Sequence, residues 1–226
     1  YGFIIDKNVI ISEYELYNKK ERDLSFKTNF KIGTKIKDIT KLKEGDYVLR
    51  TYEATTLMKL LIITKLGSYL YLPVNEIPVC RLKDLGKHVS NFVPIDPNDE
   101  VVNAYIIDEK DASQVITFFT KEGMVKRTEL SSFIVSRYNR TYTSMKLKAG
   151  DYITNIFNVS TLDNIFIFTD LGNYLFIPVH ILNETKWKEL GKHVNNIIGG
   201  ISPDEKVISS IVLDNPEDEV TLFTTT

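Results

Sequence analysis

The sequence has one cysteine, Cys80, so no disulfide within the chain can brace it, and a single thiol fits a reducing compartment. No apolar run approaches the ~18 to 20 residues of a membrane-spanning helix. The opening residues YGFIIDKNVI have neither the basic region nor the small-residue cleavage site of a secretory signal. A cytoplasmic protein without membrane contact is the expectation. No stretch sustains a helical period over 12 residues, and there is no phosphate-binding loop or dinucleotide fingerprint. Histidine is scarce, at three residues, and His88 and His193 occupy copies of one motif. With no cysteine cluster beside them they make a poor metal site. A Ser/His/Asp or Cys/His nucleophile needs one asymmetric constellation, whereas repeat copies are a structural pattern. No catalytic residue, metal ligand or cofactor is therefore assigned. The formal charge of −2 and the pI near 6.0 also argue against a protein that is basic overall.

What the sequence does have is internal repetition. TLMKLLIITKLGSYLYLPV (56–74) faces TLDNIFIFTDLGNYLFIPV (161–179) at an offset of 105, with 10 of 19 positions identical. At the same offset KDLGKHVSN (83–91) faces KELGKHVNN (188–196), and KLKEGDYV (41–48) faces KLKAGDYI (146–153). Three matches in phase require a tandem duplication. The 105-residue unit divides again, because a second kind of hairpin, VITFFTKEGMVKRTEL (115–130), lies between the two copies of the first. Gly67, Gly123 and Gly172 hold one place in successive hairpins, 56 and 49 residues apart, and Asn8 stands near that place in GFIIDKNVIISEYEL. Strand-forming runs such as LLII and SYLYL, separated by about three residues including a glycine, read as hairpins with a bulge. Pro73 and Pro178 then end the second strand.

Tandem all-β units of about 50 residues predict propeller-like blades of four strands. The expected boundaries within one domain, 1–226, are 1–56, 57–111, 112–160 and 161–215, with 216–226 as a strand of a further or closing blade. Because EVTLFTTT (219–226) opens another hairpin, a piece of a longer protein is expected.

Charge follows the repeat. After each hairpin comes a basic loop and then an acidic turn. The basic side chains singled out as candidates are Lys19, Lys20, Arg22, Lys31 and Lys35, then Arg81, Lys83, Lys87 and His88. Next come Lys126, Arg127, Arg137, Arg140, Lys146 and Lys148, and finally Lys186, Lys188, Lys192 and His193. Tyr138 lies among them in SRYNRTYTS, where it can stack or hydrogen-bond. Segment 121–148 carries seven basic and two acidic residues, a net of +5, and segment 202–219 one basic and six acidic, a net of −5. A basic loop repeated on every blade predicts a surface that neutralises phosphates on a slightly acidic molecule. Acid pairs such as Asp99 and Glu100 read as solvated turns, and the histidines as phosphate contacts or as turn packing next to Gly86 and Gly191.

These residues resemble a known family. Alternating hairpins of the forms FFTKEGMVKRTEL and IFTDLGNYLFIPV, each followed by a basic loop and then KAGDYI or SPDEKV, are similar to the C-terminal domain of the A subunits of DNA gyrase and topoisomerase IV. The resemblance spans essentially the whole chain. It implies a β-pinwheel whose blades exchange strands and whose basic rim bends double-stranded DNA without reading sequence. It also implies catalysis elsewhere, in an A-subunit dimer working with an ATPase B subunit. No loop holds gyrase's Gln-Arg-Arg-Gly-Gly-Arg-Gly box, which favours topoisomerase IV over gyrase. A protein-interaction platform and a propeller enzyme with a central active site remain the other readings.

Overall fold

The computed structural model describes residues 2–6, 9–13, 44, 48–80, 84–96, 98–108, 114–202 and 204–213. Within them the chain is all-β, in four sheets built on four successive hairpins. The strands are β1 Gly2–Asp6, β2 Val9–Glu13, β3 Val48–Glu53, β4 Lys59–Thr64, β5 Ser68–Pro73, β6 Val79–Cys80, β7 Lys87–His88 and β8 Val101–Ile107. They continue as β9 Val115–Thr120, β10 Met124–Glu129, β11 Tyr142–Thr143, β12 Ile153–Val159, β13 Asn164–Thr169, β14 Tyr174–Pro178, β15 Lys192–His193 and β16 Val207–Leu213. The sheet orders are β3-β1-β2-β6 with β7 also on β2, β11-β5-β4-β8, β12-β9-β10-β15, and β14-β13-β16.

One local device makes three of the hairpins. A buried threonine ends the first strand at Thr64, Thr120 and Thr169, and its hydroxyl accepts from the backbone N–H four residues on, at Ser68, Met124 and Asn173, each at 3.1 Å. Between them the chain turns through Gly67, Gly123 and Gly172, with φ of +85°, +72° and +81°. That left-handed conformation suits glycine, as the sequence spacing predicts.

Each hairpin's first strand then takes a long strand from later in its own repeat. β4 pairs with β8, β9 with β12 and β13 with β16, and each ladder carries one register shift at the equivalent place. The outer edge of the second strand takes a short strand from the loop of the following repeat. β6 and β7 pair with β2, β11 with β5, and β15 with β10. Blades that exchange strands, which the family resemblance implied, are therefore what the structure contains.

The chain forms two compact units. One comprises residues 1–112 with 133–144, the other 113–132 with 145–226. In the first, Leu60, Ile62, Leu70 and Leu72 pack with Val89 of the LGKHV loop and with Val101 and Ala104. In the second, Phe119, Val125, Ile165, Ile167 and Ile177 pack with Val194 of the other LGKHV loop and with Val207. Val194 packs with its own repeat and with Phe119 and Val125 of the one before it, so its apolar burial, worth about 1.5–3 kcal/mol, helps fasten those two repeats together.

The acidic turns are not merely solvated, which corrects the reading of Asp99. Asp99 is buried, and its Oδ1 accepts from Leu66 N–H at 2.8 Å in the tip of the preceding hairpin. Asp151 accepts from Glu122 N–H at 3.0 Å in the same way. Glu205 accepts from the Thr169 hydroxyl, from Asn173 Nδ2 at 2.8 Å and from Ser202 N–H at 3.1 Å. Those bonds, led by the one from Thr169, hold the Glu205 carboxyl below its usual pKa. In the three later repeats the acid after the basic loop is thus a clamp on a hairpin tip.

Candidate nucleic-acid interface

In the first compact unit, the loop after β10 reaches back and lays β11 along β5, pairing Tyr142 with Tyr69 and Thr143 with Ser68. Ser144 N–H closes the dock on Gly67 O at 2.7 Å. Aromatic rings hold the loop down. Tyr142 stacks on Tyr69 at 5.2 Å, Phe133 meets Tyr69 edge-on at 5.1 Å, and Tyr138 tilts against Tyr71 at 6.1 Å. Burial raises the Tyr69 hydroxyl pKa well above its ordinary value, so this ring is a neutral anchor.

Three cations lie on this platform. The Arg140 guanidinium sits over Tyr142 at 4.6 Å, and Lys59 Nζ lies over Tyr138 at 5.6 Å. The Tyr142 hydroxyl donates to Arg137 O at 2.9 Å, fixing the backbone from which Arg137 projects. Arg137 and Arg140 are exposed and Lys59 is half-buried. Rings beneath a cation restrict its motion without neutralising it, so the charge is presented to solvent in a limited set of positions.

In the second unit the loop after β14 docks on β10 by different chemistry. Lys126 on β10 is 1% exposed, and its Nζ donates to Trp187 O at 2.6 Å and Lys186 O at 3.4 Å while lying over the Phe118 ring at 4.9 Å. Arg127 donates from Nη1 to Val179 O at 3.3 Å and pairs with Glu184 at 3.7 Å. Thr185 N–H donates to Arg127 O at 2.8 Å, and Val194 N–H donates to Gly123 O at 2.9 Å. Burial lowers the Lys126 pKa to about 7, and Glu189 opposes that shift. Outside the clamp, Lys186, Lys188 and Lys192 are exposed, with Lys188 Nζ over the Trp187 ring at 5.0 Å.

Residues 59–108, 114–160 and 163–214 match the family described as the DNA gyrase C-terminal domain, a beta-propeller. The chain belongs to that family. Within it, the chain is 35% identical over 184 residues to the A subunit of DNA topoisomerase 4 from Bacillus subtilis, a match covering 81% of this chain and 22% of that protein. It is 34% identical over 157 residues to the corresponding protein of Staphylococcus epidermidis, covering 68% of this chain and 19% of that one. The chain thus spans about a fifth of the length of these relatives. A crystal structure of the C-terminal domain of DNA topoisomerase IV superposes with a TM-score of 0.76 at 25% identity, over 95% of this chain and 61% of that one. The E. coli ParC C-terminal domain superposes with a TM-score of 0.67 at 11% identity, over 94% of this chain and 78% of that one, which shows the shared fold. The likeness to this family of C-terminal domains, and to topoisomerase IV within it, is as the motifs indicated.

The basic residues expected from the sequence divide by placement. Lys87, His88, Arg137, Arg140, Lys146, Lys148, Lys186, Lys188 and Lys192 are exposed or partly so. Lys126 and Arg127 are corrections. Their charges are turned inward onto carbonyls and a carboxylate of the docked loop, because the strand bearing them lies beneath that loop. The histidines serve turns. His88 Nδ1 and His193 Nδ1 accept from Ser90 N–H and Asn195 N–H at 3.2 Å, and His193 Nε2 lies where a Cβ on Gly123 would come within 2.9 Å. Tyr138 is half-buried as the seat for Lys59. Lys19, Lys20, Arg22, Lys31, Lys35, Arg81 and Lys83 lie outside the described residues. The sequence pattern does not single out Lys59, because it stands inside a strand rather than in a loop. Its one signal is position, at the start of a strand just before the buried LLII run.

Proposed function

We propose that this chain is the non-catalytic domain with which the A subunit of a topoisomerase IV binds and bends double-stranded DNA, presenting it to a strand-passage core elsewhere in the same protein. The observation that carries the reading is the pair of ring-seated cations Lys59 and Arg140, with the exposed Arg137 beside them in the same loop, on a domain of this family. Duplex DNA presents regularly spaced phosphates, and fixed exposed cations take them up with release of counterions. Such contacts set position without reading bases, so recognition is independent of sequence. The parent is an ATP-dependent type IIA topoisomerase, with an A-subunit dimer and an ATPase B subunit, working in the cytoplasm on the nucleoid. The isolated domain is a monomer and breaks no DNA strand.

The test compares two pairs of cations. Arg137 and Arg140 are exposed on the platform, whereas Lys65 and Lys206 are each paired with a carboxylate at 3.7 Å, on Glu100 and Glu122. Duplex affinity measured across a salt series should give a log–log slope of roughly −0.9 per neutralised phosphate. Replacing Arg137 and Arg140 together by alanine should flatten that slope by about 2 units. Replacing Lys65 and Lys206 should leave it nearly unchanged. Equal losses from the two pairs would place the DNA on another surface.

A further inference from the structure

Two hairpins receive an LGKHV loop in one backbone register. On β10, Met124 and Val125 pair with His193 and Lys192, and Arg127 bridges Glu184 in parallel. On β2, Val9 and Ile10 pair with His88 and Lys87, and Ser12 pairs with Val79 in parallel. His193, Lys192 and Glu184 each stand 105 residues after His88, Lys87 and Val79. Lys126 therefore holds the register position on β10 that Ile11 holds on β2. The loop ends are seated alike: Val89 and Val194 are both 0% exposed, and each histidine accepts from the N–H two residues on. The dock thus forms with isoleucine at this position as well as with lysine. A lysine at 1% exposure is desolvated at a cost, which is why its pKa falls to about 7. Strand exchange by itself does not call for that cost.

The difference lies in what Lys126 touches. Residues 186–189, KWKE, form a turn in which Glu189 N–H donates to Lys186 O at 3.1 Å and Lys186 N–H donates to Glu189 Oε2 at 3.2 Å. Lys126 Nζ donates to the carbonyls of this same turn, to Trp187 O at 2.6 Å and Lys186 O at 3.4 Å. Trp187 and Lys188 are the central residues of the turn, and Lys188 Nζ lies over the Trp187 ring at 5.0 Å. Lys186, Lys188 and Lys192 are exposed. One buried ammonium therefore restrains, through charge-assisted bonds, the backbone that carries three exposed cations.

Resting on the DNA-binding reading, we propose that Lys126 is a positioning residue for phosphate: buried itself, it holds the KWKE turn so that Lys186, Lys188 and Lys192 are presented to duplex DNA as a fixed group. Lys126 touches no phosphate and acts through the turn alone. Losing its ammonium leaves the dock in place and sets the three lysines loose.

Lys126→Ile tests this, because the chain already forms the same dock with Ile11 at that register, and Lys126→Met is the second variant. Trp187 is the single tryptophan of the 226-residue chain, so its fluorescence reads the turn directly. Acrylamide quenching of Trp187 should rise in both variants while the melting temperature holds or rises, since an apolar side chain replaces a buried charge. The salt slope of duplex binding should flatten by about 2 units or more, as the loop's lysines no longer meet phosphates together. In a Lys186→Ala, Lys188→Ala, Lys192→Ala background, adding Lys126→Ile should flatten the slope no further. A flattening of about 1 unit that persists in that background overturns the proposal, by making Lys126 a direct phosphate contact. An unchanged slope with Trp187 released overturns it as well, by making Lys126 a packing residue. Loss of cooperative unfolding in both variants does the same, by making the lysine part of the fold. A wild-type chain that binds no duplex removes the DNA reading together with this proposal, whereas a wild-type chain that binds and a slope indifferent to Lys126 remove this proposal alone.

Discussion

The second and fourth sheets are built on hairpins from nearly the same sequence, yet they are buried differently. β4 and β5 are buried on both faces from their second residue onward, whereas β13 alternates strictly between half-buried and buried and β14 buries only Ile177, with Tyr174 and Phe176 exposed. Strand formation therefore does not depend on full burial, since the threonine hydroxyl, the left-handed glycine and the acid clamp recur in both. What differs is the neighbour: β5 carries a donated strand and β14 does not among the described residues. In repeat architectures of this kind, much of a blade's stability resides in what the next repeat lays upon it.

The largest test of this comparison removes residues 161–226, which bares β10 as β14 is bare. The third sheet would lose β15 and the second unit would lose Val194 from its core. Calorimetry and binding of an apolar dye should show loss of the cooperative transition of 113–160 with new apolar surface. An unchanged transition would mean that blades are independent. Next, Tyr71→Ala should cost about 3–5 kcal/mol in denaturant unfolding, the usual range for emptying a buried aromatic site. Phe176→Ala should cost well under that, and similar values would erase the distinction between covered and uncovered sheets.

Glycine substitutions sharpen the point at smaller scale. Gly172→Ala meets no atom within 4 Å and should cost only the ~1–2 kcal/mol of a left-handed alanine. Gly191→Ala would bring a Cβ within 2.6 Å of Val125 O, and Gly123→Ala within 2.9 Å of His193 Nε2, so both should cost more. The smallest effect is a slope. Lys126 is held at a pKa of about 7, below its ordinary 10.5, so over that interval the unfolded chain binds more protons than the folded one. Stability should then rise with pH from about 7 towards 10, the burial penalty being fully present below that window. Lys126→Met should flatten the rise; a rise unchanged in the variant would assign it to another group.

The repeat, the hairpins, their turn glycines and the family were all legible in the sequence, because each rests on residues within about 20 positions of one another or on copies at a fixed offset. The cations of the platform were half legible: SRYNRTYTS announced Arg137, Arg140 and Tyr138, but nothing local tied Lys59 to the Tyr138 ring across the loop's return. The exchanged strands β6, β7, β11 and β15 are two residues long, too short to carry an alternation, so the sequence alone could not place them. Lys126 and Arg127 read as surface cations beside a turn, and only the loop laid over β10 makes them internal clamps. Asp99 read as a solvated acid for the same reason, since its partner Leu66 N–H is 33 residues away. Local chemistry determined where this chain turns and pairs with itself. The contacts between successive repeats, which no single repeat encodes, decided which of its charges face water.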